Sequence, residues 1–218
     1  MKIAHVVPVF SKSNEEYIYL LIKQLLINKE DVSIITGKVV NGNVRKVPKI
    51  QVVSSRESGK LSNIALRLLT LITRKYYEFN PLSLQSQLQR ISPDLIHAHF
   101  GLSACSLFDS KVPTLISMHG HDGNVAINNP KVWRMYKKLL ANELVHFSFP
   151  SEYFKNAFVK KTKLSSQRAH VLRNPVNLSL FSPSKDGKAS QGVIRLSCVG
   201  RFISCKNQEA LVYLMARL

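Results

Sequence analysis

The chain has 218 residues, of which 45% are hydrophobic, and its 31 Lys and Arg against 13 Asp and Glu give a formal net charge of +18. This apolar content excludes a disordered chain and is enough for one full domain and part of another. The positive surplus predicts attraction to polyanions: nucleic acid, phosphate-bearing metabolites or an anionic membrane surface.

Short apolar runs alternate along the chain with segments of helical periodicity, which predicts a parallel sheet covered by helices. Strands are predicted near residues 3–9, 32–36, 50–54, 94–99, 113–118, 144–148, 169–172 and 193–199. Helices are predicted from Ser13 onward and near 61–78, 83–91, 102–109, 131–141, 151–163 and 207–218. Ser13 and Glu16 are interpreted as a capping box of the first helix. The predicted fold class is α/β, with a Rossmann-like doubly wound parallel sheet.

The apolar N-terminus is interrupted by His5 and Pro8 and is followed by no small-residue cleavage site, so it predicts a strand rather than a signal peptide. No run approaches the roughly 20 apolar residues of a membrane-spanning helix, so any membrane contact is expected to be peripheral. The three cysteines lack a metal-ligand spacing and are odd in number, which predicts neither structural zinc nor a disulfide framework. A reducing, cytoplasmic compartment is therefore expected.

Residues 182–192 are polar and rich in helix-breaking residues, which predicts a linker and a domain boundary. Before it, residues 1–181 supply seven predicted strands, enough for a complete domain. After it, residues 193–218 supply one strand and one helix, and a lone parallel strand has two unpaired edges. We therefore expect a first domain followed by the first β-α unit of an incomplete second Rossmann-like domain.

The last predicted strand is followed by Gly200 and Arg201, and Lys206 precedes the last predicted helix. A glycine at the carboxyl end of a strand allows the backbone to approach a ligand closely. Arg and Lys side chains near a helix N-terminus suit phosphate oxygens, so these residues are a candidate phosphate site. On spacing alone, an ordinary strand-turn-helix with two solvated cations fits better.

A second candidate site, His119 to Asp122, directly follows the predicted strand near 113–118. Ligands of open α/β sheets bind at the carboxyl ends of strands. His119, His121 and Asp122 lack a further ligand at a recognisable spacing, so no metal site is expected. They suit a polar rim that hydrogen-bonds a sugar or phosphate, and a polar turn without a ligand is the alternative.

Two further patterns concern histidines and cations. His97 and His99 share one face of a predicted strand. For His97 we favour a hydrogen bond within the sheet packing, and for His99 packing and cleft-lining roles are both open.

One side of a predicted helix carries four cations: Lys60, Arg67 and Arg74, which recur every seven residues, and the adjacent Lys75. The other side carries Leu61, Ile64, Ala65, Leu68 and Ile72. The cationic side could lie against anionic lipid headgroups, at about 1 kcal/mol per cation, or be merely solvated.

Several familiar motifs are absent from the sequence: the Gly-x-Gly-x-x-Gly fingerprint, the Walker phosphate loop, the Gly-x-Ser-x-Gly elbow and a Cys-x-x-Cys pair. Dehydrogenase, kinase and hydrolase functions are therefore not favoured. Aromatic residues are not interleaved with the cations in a stacking pattern, so nucleic acid is not an expected partner.

In order and spacing, four groups of residues resemble the retaining glycosyltransferases of family 4, also called group 1, whose GT-B fold has two facing Rossmann-like domains. The groups are residues 94–99, the turn 119–122, the phrase 171–177 running to Phe181-Ser182-Pro183, and Gly200-Arg201 with Lys206. The resemblance covers essentially the whole chain and implies that residues 1–181 are the acceptor-side domain.

The resemblance implies transfer, with retention, from a nucleotide-diphosphate sugar to a lipid-linked or polysaccharide acceptor. Gly200, Arg201 and Lys206 match the residues that hold the donor diphosphate and stabilise the leaving group. His119 matches the first-domain histidine that lies against the donor sugar and is the catalytic candidate. The other candidate cleft-lining residues are His99, His121, Asp122 and Asn174. The resemblance implies no metal and no cofactor.

Three departures from the family pattern affect this interpretation. The glycine-rich first loop is replaced by residues 8–16, and the usual Asn-Gly-Val-Asp is Asn-Pro-Val-Asn at 174–177. The family's pair of glutamates seven residues apart belongs to the second domain beyond Leu218, so the chain alone is expected to be inactive.

Cell-surface polysaccharide synthesis at the inner face of the cytoplasmic membrane is the expected setting. The alternatives are a basic non-catalytic module that binds acidic lipid or nucleic acid, and a degraded remnant.

Overall fold

The computed structural model describes residues 1–42, 45–182 and 196–217. They belong to two compact units, Met1–Asn177 and Leu178–Leu218. The first unit contains a seven-stranded sheet in the order β3-β2-β1-β4-β5-β6-β7, with every neighbouring pair parallel. Because the order reverses at β1, this is a doubly wound sheet, and the predicted α/β Rossmann-like class is confirmed.

The strands are β1 Lys2–Phe10, β2 Asp31–Val39, β3 Ile50–Val52, β4 Leu95–His99, β5 Thr114–Ser117, β6 Val145–Phe149 and β7 Ala169–Val171. The helices of the first unit are α1 Glu16–Ile27, α2 Lys60–Thr73, α3 Pro81–Ile91, α4 Gly101–Ala104, α5 His121–Asn124, α6 Pro130–Ala141 and α7 Glu152–Thr162. The second unit contains α8, Gln208–Met215. Short 3-10 turns lie at Ser13–Glu15, Ala126–Asn128, Ser166–Arg168 and Ser204–Lys206.

The sheet separates two hydrophobic cores because neighbouring strand residues point to opposite faces. Val7 packs with Ile18 and Ile22 of α1 in the smaller core. Its neighbour Val6 lies in the larger core, which includes residues of α3, α4, α6 and α7, such as Tyr136. Strands buried on both faces explain the near-continuous apolar runs that identified them in the sequence.

The start of α1 differs from the predicted capping box, which is wrong. Residues Ser13–Glu15 form a 3-10 turn, and α1 begins at Glu16 with no capping side chain. The Ser13 hydroxyl instead accepts a hydrogen bond from Asn41 Nδ2 at 3.3 Å. A tertiary contact has therefore replaced the local cap.

Other boundaries differ from the predicted elements. The helix predicted over 61–78 ends at Thr73, because Arg74 adopts a left-handed conformation with φ 54°. The helix predicted over 102–109 is confined to Gly101–Ala104. Of the strand predicted over 193–199, residues 196–199 are not in a strand and 193–195 lie outside the described residues, as do 183–192 of the predicted linker.

Close packing at the start of α4 yields a test of the fold. A Cβ on Gly101 would collide with the Tyr136 hydroxyl and lie 2.9 Å from Met118 Sδ. We expect Gly101→Ala to lower the free energy of unfolding by about 1–3 kcal/mol, measured by urea denaturation followed by circular dichroism. Adding Tyr136→Phe removes the colliding hydroxyl, so the double variant should lose less than the sum of the two single losses. Strict additivity would contradict the predicted collision.

Candidate functional site

The candidate site lies where β4 and β5 end, and the Asp122 carboxylate organises it. Asp122 accepts hydrogen bonds from the backbone amides of Gly101 at 2.8 Å, His119 at 3.1 Å, Gly120 at 3.0 Å and Gly123 at 3.1 Å. Its side chain is buried. Asp122 therefore joins the loop after β4 to the turn after β5 and does not project into a cleft.

The turn after β5 depends on a glycine. Gly120 has φ +118°, a conformation that side-chain-bearing residues rarely adopt. Apart from its two chain neighbours, no described residue has an atom within 4 Å of the position that a Cβ would take there. The turn packs the His119 ring against neighbouring rings of the first unit, whereas the side chain of His121 is exposed.

His119 is packed among rings and has no polar partner among the described residues. Its ring centroid lies 4.7 Å from that of Phe100, 4.9 Å from that of Tyr17 and 5.9 Å from that of His99. Both ring nitrogens are buried without a hydrogen bond. Burial lowers the pKa of His119 to about 4, although Asp122 opposes this shift, so the imidazole is neutral at pH 7. A neutral imidazole can both donate and accept a hydrogen bond.

Behind His119, three buried histidines form a cluster, which we define as His5, His97 and His99. His5 Nδ1 lies 3.0 Å from His99 Nε2, and His97 Nε2 lies 2.8 Å from the Ser117 hydroxyl. Burial lowers the pKa of all three, to about 4 for His97, and the neighbouring histidines lower those of His5 and His99 further. One nitrogen from each ring lies within 4.8 Å of the others, so among the described residues these neutral imidazoles form a group that could hold a metal ion.

The structure places the predicted residues of the histidine strand as follows. The hydrogen bond favoured for His97 is present, whereas His99 is fully buried beside His5. His5 joins them because it is the direct partner of His97 in the β1–β4 register. Sequence reasoning missed His5, and a search for histidines on two strands predicted to be adjacent is the signal that could have found it.

In the second unit, Gly200, Arg201 and Lys206 lie on an exposed segment. The segment folds back on itself: a Cβ on Gly200 would lie 3.6 Å from Lys206 Cγ, and Gln208 Nε2 donates to the Arg201 carbonyl at 2.8 Å. Both cations are thus available to an anionic ligand. Asn174, in the first unit, is also exposed.

Helix α2 exposes aliphatic side chains as well as cations. Lys60, Arg67 and Arg74 are exposed, and Lys75 Nζ lies 5.3 Å from the centre of the Phe108 ring. The aliphatic residues predicted on the other side of the helix are exposed as well. In the described part of the chain, no helix has the length and apolar character needed to cross a bilayer.

Residues 15–180 match the family model described as Glycosyltransferase Family 4. No curated protein matches the chain.

Solved structures share the fold at low identity. UDP-N-acetylglucosamine 2-epimerase from Rickettsia bellii has a TM-score of 0.54 at 10% identity, over 80% of this chain and 45% of the epimerase. A second UDP-N-acetylglucosamine 2-epimerase has a TM-score of 0.50 at 14% identity, over 79% and 48% of the two chains. A sucrose-phosphate synthase structure from Thermosynechococcus elongatus has a TM-score of 0.52 at 12% identity, over 100% of both chains. The chain thus spans less than half the length of the epimerases. Since the family model covers most of the chain, this protein belongs to glycosyltransferase family 4.

Proposed function

We propose that this chain is the acceptor-side part of a glycosyltransferase that moves a sugar, with retention, from a nucleotide-diphosphate sugar to a lipid-linked or polysaccharide acceptor. The family match over residues 15–180 supports a transferase with a nucleotide-sugar donor and a sugar acceptor. The two epimerases of similar fold are also named for a nucleotide sugar, UDP-N-acetylglucosamine. The observation that carries the proposal within this chain is His119 at the carboxyl edge of the sheet with both ring nitrogens unpaired.

His119 is the residue proposed to contact the donor sugar. A buried nitrogen without a partner costs about 1–3 kcal/mol, and a sugar hydroxyl or phosphate oxygen would supply that partner. The lowered pKa of His119 keeps its ring neutral at pH 7, so it offers a hydrogen-bond acceptor as well as a donor. Asp122 acts through His119 because it holds the His119 amide.

Arg201, Lys206 and Gly200 are proposed to bind the donor diphosphate. In retaining transfer the acceptor oxygen bonds to the anomeric carbon on the face from which the phosphate leaves, and the bond from that carbon to the phosphate oxygen breaks. The acceptor proton passes to the departing phosphate oxygen. Two cations near that oxygen stabilise the charge that develops on it. No step of this scheme requires a metal ion or a cofactor.

The proposed setting is the inner face of the cytoplasmic membrane, in cell-surface polysaccharide synthesis. The net charge of +18 and the exposed cations of α2 support an anionic membrane as partner. A lipid-linked acceptor would be reached from that surface.

The proposal predicts sugar transfer that depends on His119 and Arg201. The protein in its natural full-length form is incubated with labelled nucleotide sugars and membranes, and label in lipid or polysaccharide is measured. His119→Ala and Arg201→Ala should each lower kcat/KM by at least about 100-fold, since each removes a group near the reacting atoms. Lys160→Ala, an exposed cation on α7, is the control that should retain activity.

Two results would contradict this proposal: no transfer from any nucleotide-diphosphate sugar, or full activity in both variants. A non-catalytic lipid-binding module is the second candidate, favoured by the exposed aliphatic residues of α2.

A further inference from the structure

The outward side of α2 is apolar. The helix buries only Leu66 and Thr70. Its large exposed aliphatic residues form what we call the α2 stripe: Leu61 (85% exposed), Ile64 (55%), Leu68 (53%), Leu71 (62%) and Ile72 (80%). Because an α-helix turns about 100° per residue, all five lie within a sector of about 100°. The stripe is thus one continuous apolar surface along the helix.

The inward side of α2 is, in contrast, partly polar and has its partners within the protein. Thr70 Oγ1 accepts from Arg56 Nη2 at 2.8 Å and donates to the Leu66 carbonyl at 2.7 Å. The Ser62 hydroxyl accepts from the Ser54 hydroxyl at 3.2 Å. The helix therefore departs from the usual arrangement of a surface helix, because most of its large aliphatic side chains face outward and only Leu66 is buried. Contiguous exposed apolar surface of this kind marks an interaction site.

The surroundings of the α2 stripe are basic. Lys60, Arg67 and Arg74 lie beside the stripe, within about the next 60° of the helix surface. Arg134 of α6 donates to the Arg74 carbonyl at 3.0 Å, which fixes the basic helix α6 next to the end of α2. Neither α2 nor α6 contains Asp or Glu. An aliphatic stripe with cations along one side, on a helix without acidic residues, is complementary to an anionic lipid surface, with acyl chains beneath negatively charged headgroups.

We propose that α2 docks this protein on an anionic bilayer by inserting the α2 stripe below the headgroups while the flanking cations contact lipid phosphates. This inference rests on the proposed function in one respect, since insertion would bring the site to a lipid-linked acceptor. It goes beyond adsorption of a charged helix side, because the apolar side chains supply part of the affinity. Vesicle binding needs neither donor nor acceptor, so its outcome is independent of whether sugar transfer is found.

The test measures binding of the 218-residue chain to phosphatidylcholine vesicles with and without phosphatidylglycerol by flotation. We expect binding only with phosphatidylglycerol. Replacing Leu61, Leu68 and Ile72 together with Gln, a good helix former, should weaken binding by at least about tenfold. Arg67→Gln with Arg74→Gln should weaken it on the order of tenfold and reduce its salt dependence. Arg134 contacts the backbone of Arg74, so the α2–α6 contact should survive that change.

A control and a second readout distinguish insertion from adsorption. The matched control is Leu82→Gln with Lys23→Gln, which removes an exposed aliphatic residue and an exposed cation from other helices and should bind normally. In a Trp133→Phe background, a tryptophan placed by Leu68→Trp should be quenched by lipids brominated on the acyl chains, and one placed by Leu82→Trp should not.

Three outcomes would overturn the inference. In the first, neither vesicle binds. In the second, the Gln variant of the α2 stripe binds as tightly as the unchanged chain, which would mean that charge alone acts. In the third, sedimentation shows a dimer that this variant converts to monomer, and vesicle binding is absent, which would make the stripe an interface between copies.

Discussion

Asp122→Ala is expected to lower the free energy of unfolding by about 3–5 kcal/mol, because it leaves four backbone amides without an acceptor in a buried site. Those amides belong to Gly101, His119, Gly120 and Gly123, and they lie in two separate loops. A change at one side chain therefore releases both the start of α4 and the turn after β5. Urea denaturation monitored by circular dichroism measures the loss.

Two variants separate the hydrogen bonds from other effects of the change at Asp122. Asp122→Asn keeps one acceptor oxygen and the side-chain shape, so it should cost less than Asp122→Ala but more than about 1 kcal/mol. His121→Ala alters the exposed neighbour and should change stability by less than about 0.5 kcal/mol. Equal stability of Asp122→Ala and His121→Ala would show that Asp122 does not hold the loops.

Much of the fold could be predicted because its sequence signals are local. The apolar runs of the strands and the turn residues between them reflect burial on both faces of a parallel sheet, so the order of elements followed directly. The turn at residues 119–122 could be predicted for the same reason, because Gly120 and its polar neighbours directly follow a strand. The carboxylate contacts of Asp122 could not be predicted, because Gly101 is 21 residues distant and meets it only in the folded sheet.

For helix α2, the periodicity of the aliphatic residues did not predict which side of the helix is buried. The spacing of its aliphatic residues predicts that they share a side, but a repeat of about 3.6 residues does not say whether that side faces the core or the solvent. Leu66 and Thr70, which the pattern did not distinguish, are the buried residues. Which side of α2 is buried depends on neighbours such as Arg56, a loop residue whose guanidinium donates a hydrogen bond to Thr70.

The cluster of His5, His97 and His99 depends in the same way on strand register. A shift of the β1–β4 pairing by one residue would turn His5 away from His97. The cluster is therefore a product of the assembled sheet, and its protonation reports on whether that sheet is intact.

Acid is expected to destabilise the first unit through the histidine cluster. The pKa of His97 is about 4 in the folded chain against 6.5 for an ordinary histidine. Between these values the unfolded chain binds a proton that the folded chain does not, so the free energy of unfolding falls as the pH is lowered from 6.5 to 4. At about 1.4 kcal/mol per pKa unit, protonation of His97 alone should make the free energy of unfolding about 3 kcal/mol lower at pH 4 than at pH 7. His5 and His99, whose pKa values are also lowered, act in the same direction.

Replacing one histidine isolates this effect from the carboxylates. Burial raises the pKa of Glu15 and Glu78, which opposes the histidines because the folded chain then binds the extra protons. His97→Gln leaves both glutamates in place and can still hydrogen-bond Ser117, so denaturation at a series of pH values should show a shallower fall between pH 6.5 and 4, by up to about one proton. Leu82→Gln, at an exposed position that does not titrate, should leave the slope unchanged. If His97→Gln keeps the full slope, His97 is not protonated on unfolding and the neutral cluster is not the source of acid sensitivity.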